Sequence, residues 1–360
     1  MTIGIDISPA CRVQKTGIEW YAWHVTRELF IQHGADHSFL LYTDTATDDF
    51  CDMKKKVLAW KSRYFWPEIR LSLEIAMHPP DVLFSPSRAL PLVLPKRTVT
   101  TIHDVGFIPF PSERKKLSKE YLLMTSRRAA QRSDHILTVS EFSKNEIIKY
   151  FSIDPKKITV TYLGYDKDRY IPSHGRAVGR PYIVCTGRRE RRKNIIGLIK
   201  GYELLVAQRG SDAPDLVFIG PPGHHSHEID AALAQSPAHH SIRILNWLPE
   251  DEKIALLQYA LVAVQPSLYE GFGLPVIEAQ SCGIPIACSH AGSLPEVAGE
   301  GAVFFDPTNY ESIAHALDRC IHETSLRQTL IEKGFENSKR FSWKECAENT
   351  YKTLANSTEI

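Results

Sequence analysis

A nonapeptide in the second half of the chain, Glu270–Glu278, reads EGFGLPVIE and constrains everything around it. Before it, Leu261–Val264 is an apolar, strand-like run, followed by Gln265-Pro266-Ser267. After it, Ala279-Gln280-Ser281-Cys282 reads as helix until Gly283, a residue type that commonly ends one. The order is therefore strand, tight glycine loop, helix. Gly271 and Gly273 allow positive φ and a close approach of backbone to ligand. Pro275 suits a first helical turn, where its missing N–H costs nothing. The loop amides then sit at a helix N-terminus, which carries roughly half a positive charge and favours phosphate. Glu278 falls about one turn into the helix, from where its carboxylate can reach back to ligand hydroxyls.

The remainder alternates strand and helix. Strand signals occur at Ile3–Ile7, Phe39–Tyr42, Val82–Phe84, Val99–Ile102, Ile136–Val139 and Ile158–Thr161. Ile18, Ala22, Val25 and Leu29 mark one face of a helix that starts at Gly17 and stops at Gly34. Further helices are expected over 119–132 and 141–151. A polar break rich in Pro and Gly, Ile171–Arg176, reads as an interdomain linker. The alternation then restarts, with strands at Tyr182–Cys185, Leu216–Ile219, Ile242–Leu245, Leu261–Val264, Ile284–Ala287 and Val303–Phe305. Helices are expected near 194–208, 251–259, 294–298 and, as one long element, 310–334. This predicts an α/β chain of two Rossmann-like doubly wound domains, 1–172 and 177–340. A length of 360 residues, too great for one comfortable core, agrees.

Bulk properties exclude some classes. Hydrophobic content of 43% and charged content of 24% are those of a soluble globular protein. A net charge of +1 gives no reason to expect a nucleic-acid partner. The charge is uneven, with 25 Lys+Arg against 20 Asp+Glu in residues 1–170. The seven cysteines are scattered, without metal spacing, as in a reducing cytoplasm. Met1–Asp6 opens directly into a strand, so no signal peptide is expected, and no apolar run approaches the ~18 residues of a spanning helix.

The nonapeptide resembles the donor-site signature of retaining glycosyltransferases of the GT-B fold, glycosyltransferase family 4. That pattern is two glutamates separated by seven residues with Gly-Phe-Gly-Leu-Pro between, and it is kept in full here. The resemblance covers essentially the whole chain. It implies two domains facing a cleft, with the last helix, 343–360, crossing back onto the first. It implies a nucleotide-diphosphate sugar as donor, with Glu278 on the ribose, Glu270 on the sugar, and amides of Phe272, Gly273 and Leu274 on sugar and phosphate. The arginine after Gly187 and the lysine before Asn194 match the family's diphosphate contacts, Arg188 and Lys193. Cations at a strand's end also make chemical sense against a leaving diphosphate. Arg189, Arg191 and Arg192 read as an ordinary solvated basic loop. His103 ends a strand and matches the family's histidine facing the donor sugar. Gly17 matches its glycine beside the diphosphate. Leu248, in Asn246–Glu250, falls where the family holds the base through backbone groups.

No metal is expected, since Arg, Lys and helix amides neutralise the leaving group. His224, His225 and His227 read as exposed, and Asp166-Lys167-Asp168 as a loop coincidence. Ser140 is either a helix N-cap or part of a family segment near the cleft. By general resemblance the sugar is mannose or a rhamnose-like sugar on GDP, moved to a glycan or lipid-linked acceptor of a bacterial surface polysaccharide. A sugar-nucleotide epimerase, a phosphorylase and an inactive scaffold subunit stay open as alternatives. Finally, Lys54-Lys55-Lys56, Trp60, Lys61, Arg63, Tyr64, Phe65, Trp66 and Arg70, with Arg114-Lys115-Lys116 and Lys119, mix cations and aromatics. They read equally as an inner-leaflet membrane surface or as core aromatics beside solvated lysines.

Overall fold

The computed structural model describes residues 1–60, 65–110, 116–173 and 179–356. Lys61, Arg63, Tyr64, Arg114, Lys115 and the 174–176 part of the expected linker lie outside that set. The chain divides into two compact units, the first formed by Met1–Ile108, Lys116–Gly164 and the C-terminal return from Ser342, the second mainly by Tyr165–Phe341.

The first unit contains β1 (Thr2–Asp6), α1 (Gly17–His33), β2 (Ser38–Thr43), β3 (Lys55–Val57), α2 (Ser72–Met77), β4 (Val82–Ser85), β5 (Thr98–Thr101), α3 (Lys116–Arg132), β6 (His135–Thr138), α4 (Glu141–Phe151) and β7 (Ile158–Val160). Its described strands form one parallel sheet in the order β3-β2-β1-β4-β5-β6-β7. The sheet core is apolar: Ile3, Ile5, Leu41, Leu83, Phe84 and Ile136 are fully buried. Strand β3 is absent from the sequence reading because Lys55-Lys56-Val57 is a short, mostly polar edge strand.

The second unit contains β8 (Tyr182–Thr186), α5 (Ile195–Arg209), β9 (Asp215–Ile219), α6 (Ser226–Ala234), β10 (Ile242–Leu245), α7 (Glu250–Gln258), β11 (Val262–Gln265), α8 (Leu274–Ser281), β12 (Ile286–Ser289), α9 (Leu294–Ala298), β13 (Ala302–Phe305), α10 (Tyr310–His322) and α11 (Thr324–Ser338). Its parallel sheet runs β10-β9-β8-β11-β12-β13. The single helix expected over 310–334 is two helices. Asn309 caps the first through Ser312 N–H at 2.9 Å, and the chain leaves helical geometry at Glu323.

The first unit ends at Gly164, short of the 172 read from composition. The reason is Tyr170. Its side chain is buried and its hydroxyl donates to Glu250 Oε1 at 2.5 Å, while Gln258 Nε2 donates to Ile171 O at 2.8 Å. These contacts attach 165–171 to the second unit. The final helix, α12 (Trp343–Asn356), packs on α1: the Trp343 and His24 rings stack at 4.7 Å, and Glu348 accepts from His33 Nε2 at 3.1 Å. No helix among the described residues is long and apolar enough to cross a membrane.

Candidate active site

In a doubly wound sheet the ligand crevice opens where strand order reverses, beyond the carboxyl ends of the strands. In the second unit that point lies between β8 and β11, which are neighbours in the sheet. Beyond β8 come Gly187 and Arg188, then the 3-10 turn Arg191–Lys193. Beyond β11 come Ser267 and Glu270. The topology thus brings together the cation turn and the nonapeptide, although 77 residues separate Lys193 from Glu270. Leu268 N–H donates to Arg192 O at 2.8 Å and ties the two loops directly.

Glu270 is the centre of this arrangement. It is 6% exposed. Its Oε1 accepts from Lys193 Nζ, from Gln265 Nε2 at 2.6 Å and from Ser267 Oγ at 2.9 Å. Arg192 Nη1 stands 3.7 Å from Oε2. Burial alone would raise the carboxyl's pKa. Lys193 and then Arg192 outweigh it and hold the group below its ordinary value, so it is ionised. The backbone of the loop is clamped as well. Ser293 Oγ donates to Glu270 O at 3.1 Å and to Phe272 O at 2.7 Å. Gly292 takes φ 67° there, and a Cβ on it would lie 2.8 Å from Glu270 N and O. Sequence reasoning missed Arg192, Gln265, Ser267 and Ser293. A polar Gln ending an otherwise apolar buried strand was the one available signal.

Gly273 is the N-cap of α8 at φ 108°, a conformation that side chains resist, and a Cβ there would meet Leu294 Cδ2 at 2.7 Å. Leu274 and Pro275 open the helix, so its N-terminal amides face the loop. The Phe272 ring is buried and packs edge-on against Phe341 at 5.6 Å, which leaves its backbone as the part that can meet a ligand.

Glu278 occupies a separate cluster. Lys253 Nζ lies 3.7 Å from its Oε2 and 2.8 Å from Glu250 Oε1. Burial raises the Glu278 carboxyl's pKa, Glu250 adds to this, and Lys253 only partly offsets it. Burial works against the Lys253 charge, but the two carboxylates prevail and raise its pKa. The two glutamates of the nonapeptide are therefore electrostatically distinct: one firmly ionised, the other competing with Glu250 for one lysine. Leu248 is partly buried in the loop leading to α7, and its neighbour Trp247 is exposed.

Arg188 is 46% exposed at the mouth of the β8 loop, with its Nε 3.6 Å from Glu190 Oε1. Arg189 is buried and structural, bonding Asp230 at 2.6 Å and Asn246 at 3.0 Å. Arg191 holds Glu228 through two N–H groups, one at 2.7 Å. His225, His227 and Glu228 lie near enough to share one cation, but that guanidinium already neutralises Glu228. Asp166 Oδ1 accepts from Asp168 N–H at 3.2 Å, an ordinary capped turn.

In the first unit the order reverses between β1 and β4. His103 follows the neighbouring β5, and its Nε2–H donates to Pro86 O, beyond β4, at 3.1 Å. Burial pushes its pKa down to about 4, so the ring is neutral at ordinary pH. Asp6, ending β1, accepts from Ser8 N–H at 3.0 Å, and burial lifts its carboxyl to about 7. Gly17 opens α1 behind Thr16, whose N–H donates to Glu19 Oε2 at 2.9 Å. Ser140 is an N-cap, accepting from Ser143 N–H at 3.0 Å.

Two parallel doubly wound units, with an acid–lysine pair at the second switch point, match the architecture of a GT-B glycosyltransferase. Residues 16–169 match the family description Glycosyltransferase Family 4, and residues 166–337 match Glycosyl transferases group 1. The chain is 32% identical over 272 residues to an O-antigen chain mannosyltransferase B of Escherichia coli, covering 72% of this chain and 71% of that protein. It is 31% identical over 228 residues to an MMP alpha-(1->4)-mannosyltransferase of Mycolicibacterium hassiacum, covering 62% of this chain and 54% of that protein. Its fold matches the sucrose-phosphate synthase of Thermosynechococcus elongatus with a TM-score of 0.78, over 99% of both chains at 17% identity. The chain belongs to glycosyltransferase family 4, group 1, and is a glycosyltransferase.

Proposed function

We propose that this enzyme moves mannose from GDP-mannose to a glycan or lipid-linked acceptor of a bacterial surface polysaccharide, with retention at the anomeric carbon. The supporting observation is the division of labour between Glu270 with Lys193 and Glu278 with Lys253. Similarity to mannosyltransferases supports the sugar. The groups that stand beside Glu278 support guanine as the base. Guanine presents N–H donors on one side of its edge and oxygen O6 on the other, and Glu250 and Lys253 offer a carboxylate and an ammonium to match.

In this reading Glu278 takes the ribose hydroxyls, and Glu270 takes hydroxyls of the transferred sugar. Arg188, Lys193 and the α8 amides take the diphosphate. His103, a neutral ring, is available as a hydrogen-bonding group rather than as a cation. No side chain is assigned as nucleophile. The acceptor oxygen bonds to C1 on the face that phosphate leaves, its proton passes to the departing phosphate oxygen, and GDP is released. Cations fixed beside that phosphate stabilise the charge as it develops, without a metal. Work at the inner leaflet of the cytoplasmic membrane is part of the proposal. Calorimetric titration with GDP, UDP and ADP tests the donor reading: GDP should bind at least tenfold more tightly, and equal affinities would refute it.

A further inference from the structure

The structure fixes the tautomer of His103. Its Nε2 lies 3.1 Å from Pro86 O, and a carbonyl oxygen only accepts, so Nε2 carries the proton. In a neutral ring the other nitrogen, Nδ1, then holds a lone pair. His103 can therefore serve a ligand hydroxyl as an acceptor, through Nδ1, while that tautomer and orientation hold.

The surroundings of the ring are held from several sides. Next to Pro86, Ser87 O accepts from Ser85 Oγ and from Thr100 Oγ1, both at 2.8 Å. Ile102 N–H donates to Leu137 O at 2.9 Å, and Ile102 O accepts from Thr138 Oγ1 at 2.8 Å, which fixes the backbone entering His103. These bonds set where the imidazole begins and where one nitrogen donates. They do not keep the ring from turning about Cβ–Cγ and donating through Nδ1 instead. That restraint comes from Tyr21 on α1, whose ring stands edge-to-face with the imidazole, centroids 4.7 Å apart and planes at 89°.

Tyr21 is itself held firmly. It is fully buried, and its hydroxyl shares a hydrogen bond with Thr101 Oγ1 at 2.9 Å, two residues before His103. Burial lifts the phenol's pKa far above its ordinary value, so it stays an O–H. Behind it, at 6.3 Å, is the ring of Trp343, which opens α12 and stacks on His24. The start of α12 is pressed against Gly164, where a Cβ would lie 2.6 Å from the Ser342 carbonyl carbon. Tyr42 shows what a tyrosine of the first unit looks like when it only fills the core. It too is fully buried, but its hydroxyl has no hydrogen-bond partner. It packs with Leu58 and with Trp66, whose indole N–H donates to Leu58 O at 3.1 Å.

We infer that Tyr21 is the positioning residue for His103: it confines the imidazole to the orientation in which Nε2–H is engaged by Pro86 and Nδ1 is left for substrate, with α12 steadying it from behind. The inference rests on the reading of His103 as a hydrogen-bonding group for the substrate.

Nitrogen NMR of the isotope-labelled full chain tests this, with the His103 signals assigned from their absence in His103→Gln. The proton should sit on Nε2 in the wild-type chain. Tyr21→Phe keeps the ring and should keep both that signature and most of the turnover. Tyr21→Leu should give mixed tautomers, a titration midpoint moved up from about 4 towards 6.5, and unchanged GDP affinity. Its turnover should fall about tenfold or more, as expected when a reacting group is misplaced. Added to His103→Gln, Tyr21→Leu should cost little further, because the ring it acts through is gone. Tyr42→Leu removes comparable packing and should leave the His103 signals and the turnover as they are. Tyr21→Met, whose flexible chain refills the space, gives the same readout if Tyr21→Leu does not fold. Unchanged His103 signals on loss of the Tyr21 ring, or rate losses that multiply in the double variant, overturn the inference. Full turnover in His103→Gln rejects the reading of His103 alone, since the tautomer change still decides what Tyr21 does.

Discussion

Lys193 and Glu270 form a buried ion pair across 77 residues, with side chains 14% and 7% exposed. Removing the lysine leaves a buried carboxylate with Arg192, at 3.7 Å, as its remaining cation among the described residues, and with neutral donors from Gln265 and Ser267. Breaking a buried pair from one side typically costs ~3–5 kcal/mol. Lys193→Ala should therefore lower unfolding free energy by about 3 kcal/mol. Combining it with Glu270→Gln should recover much of that. Denaturant unfolding of the three variants decides this, and a single lysine variant as stable as wild type contradicts the pairing.

Arg188 should behave differently. At 46% exposure it contributes little to the fold, so Arg188→Ala should melt as wild type does. Loss of one fixed charge at a developing anion costs on the order of 10²–10³ in rate. Near-normal turnover in this variant would mean the diphosphate lies elsewhere.

The two glutamates of the nonapeptide should separate by ligand. Glu278→Gln should weaken binding of free GDP, because its proposed partner is the ribose. Glu270→Gln should leave that affinity nearly intact and reduce turnover. Calorimetry with GDP and steady-state rates give both quantities, and equal loss of GDP affinity in the two variants refutes the assignment.

His103 should titrate near 4 by NMR rather than near its ordinary 6.5. Its folded pKa lies below the unfolded one, so below pH 6.5 the unfolded chain binds a proton that the folded chain refuses. Its contribution to stability is therefore lost as pH falls from 6.5 towards 4. Asp6 acts oppositely. Raised to about 7, its contribution is full below its ordinary 3.8 and is lost as pH rises through 7. Asp6→Asn should thus steepen the loss of stability on acidification between pH 7 and 4. A His103 signal titrating between 6 and 7 would show that the ring is not buried as described.

Much of this was legible in the sequence because its signals are local. Gly273, Pro275 and Gly283 specify a strand–loop–helix unit within a few residues, and alternating apolar runs specify parallel sheets. What was hidden is set by tertiary contact. Lys55-Lys56-Val57 lacks strand composition and joins the sheet only as an edge on β2. Glu323 breaks a helix without Gly or Pro, so periodicity runs through the break. The 164/165 boundary depends on Tyr170 reaching Glu250, 80 residues on. The partners of Glu270 come from β11, the cation turn and the start of α9, and no spacing in the chain announces that convergence.

Transfer should survive exhaustive EDTA treatment, since the proposed diphosphate site is built from Arg188, Lys193 and helix amides. His225, His227 and Glu228 supply the only cation-competent trio among the described residues, and His227→Ala should leave the rate unchanged. Loss of activity in EDTA, restored by manganese or magnesium, contradicts metal-free transfer.

The most direct test of the central claim is the product formed from GDP-α-mannose and a lipid-linked glycan primer, with the new linkage read by NMR. The account predicts an α-mannosyl linkage and one GDP released per mannose transferred, in EDTA, with Glu270→Gln losing most of the rate. A β linkage, an epimerised sugar nucleotide formed without acceptor, or release of mannose 1-phosphate would contradict it.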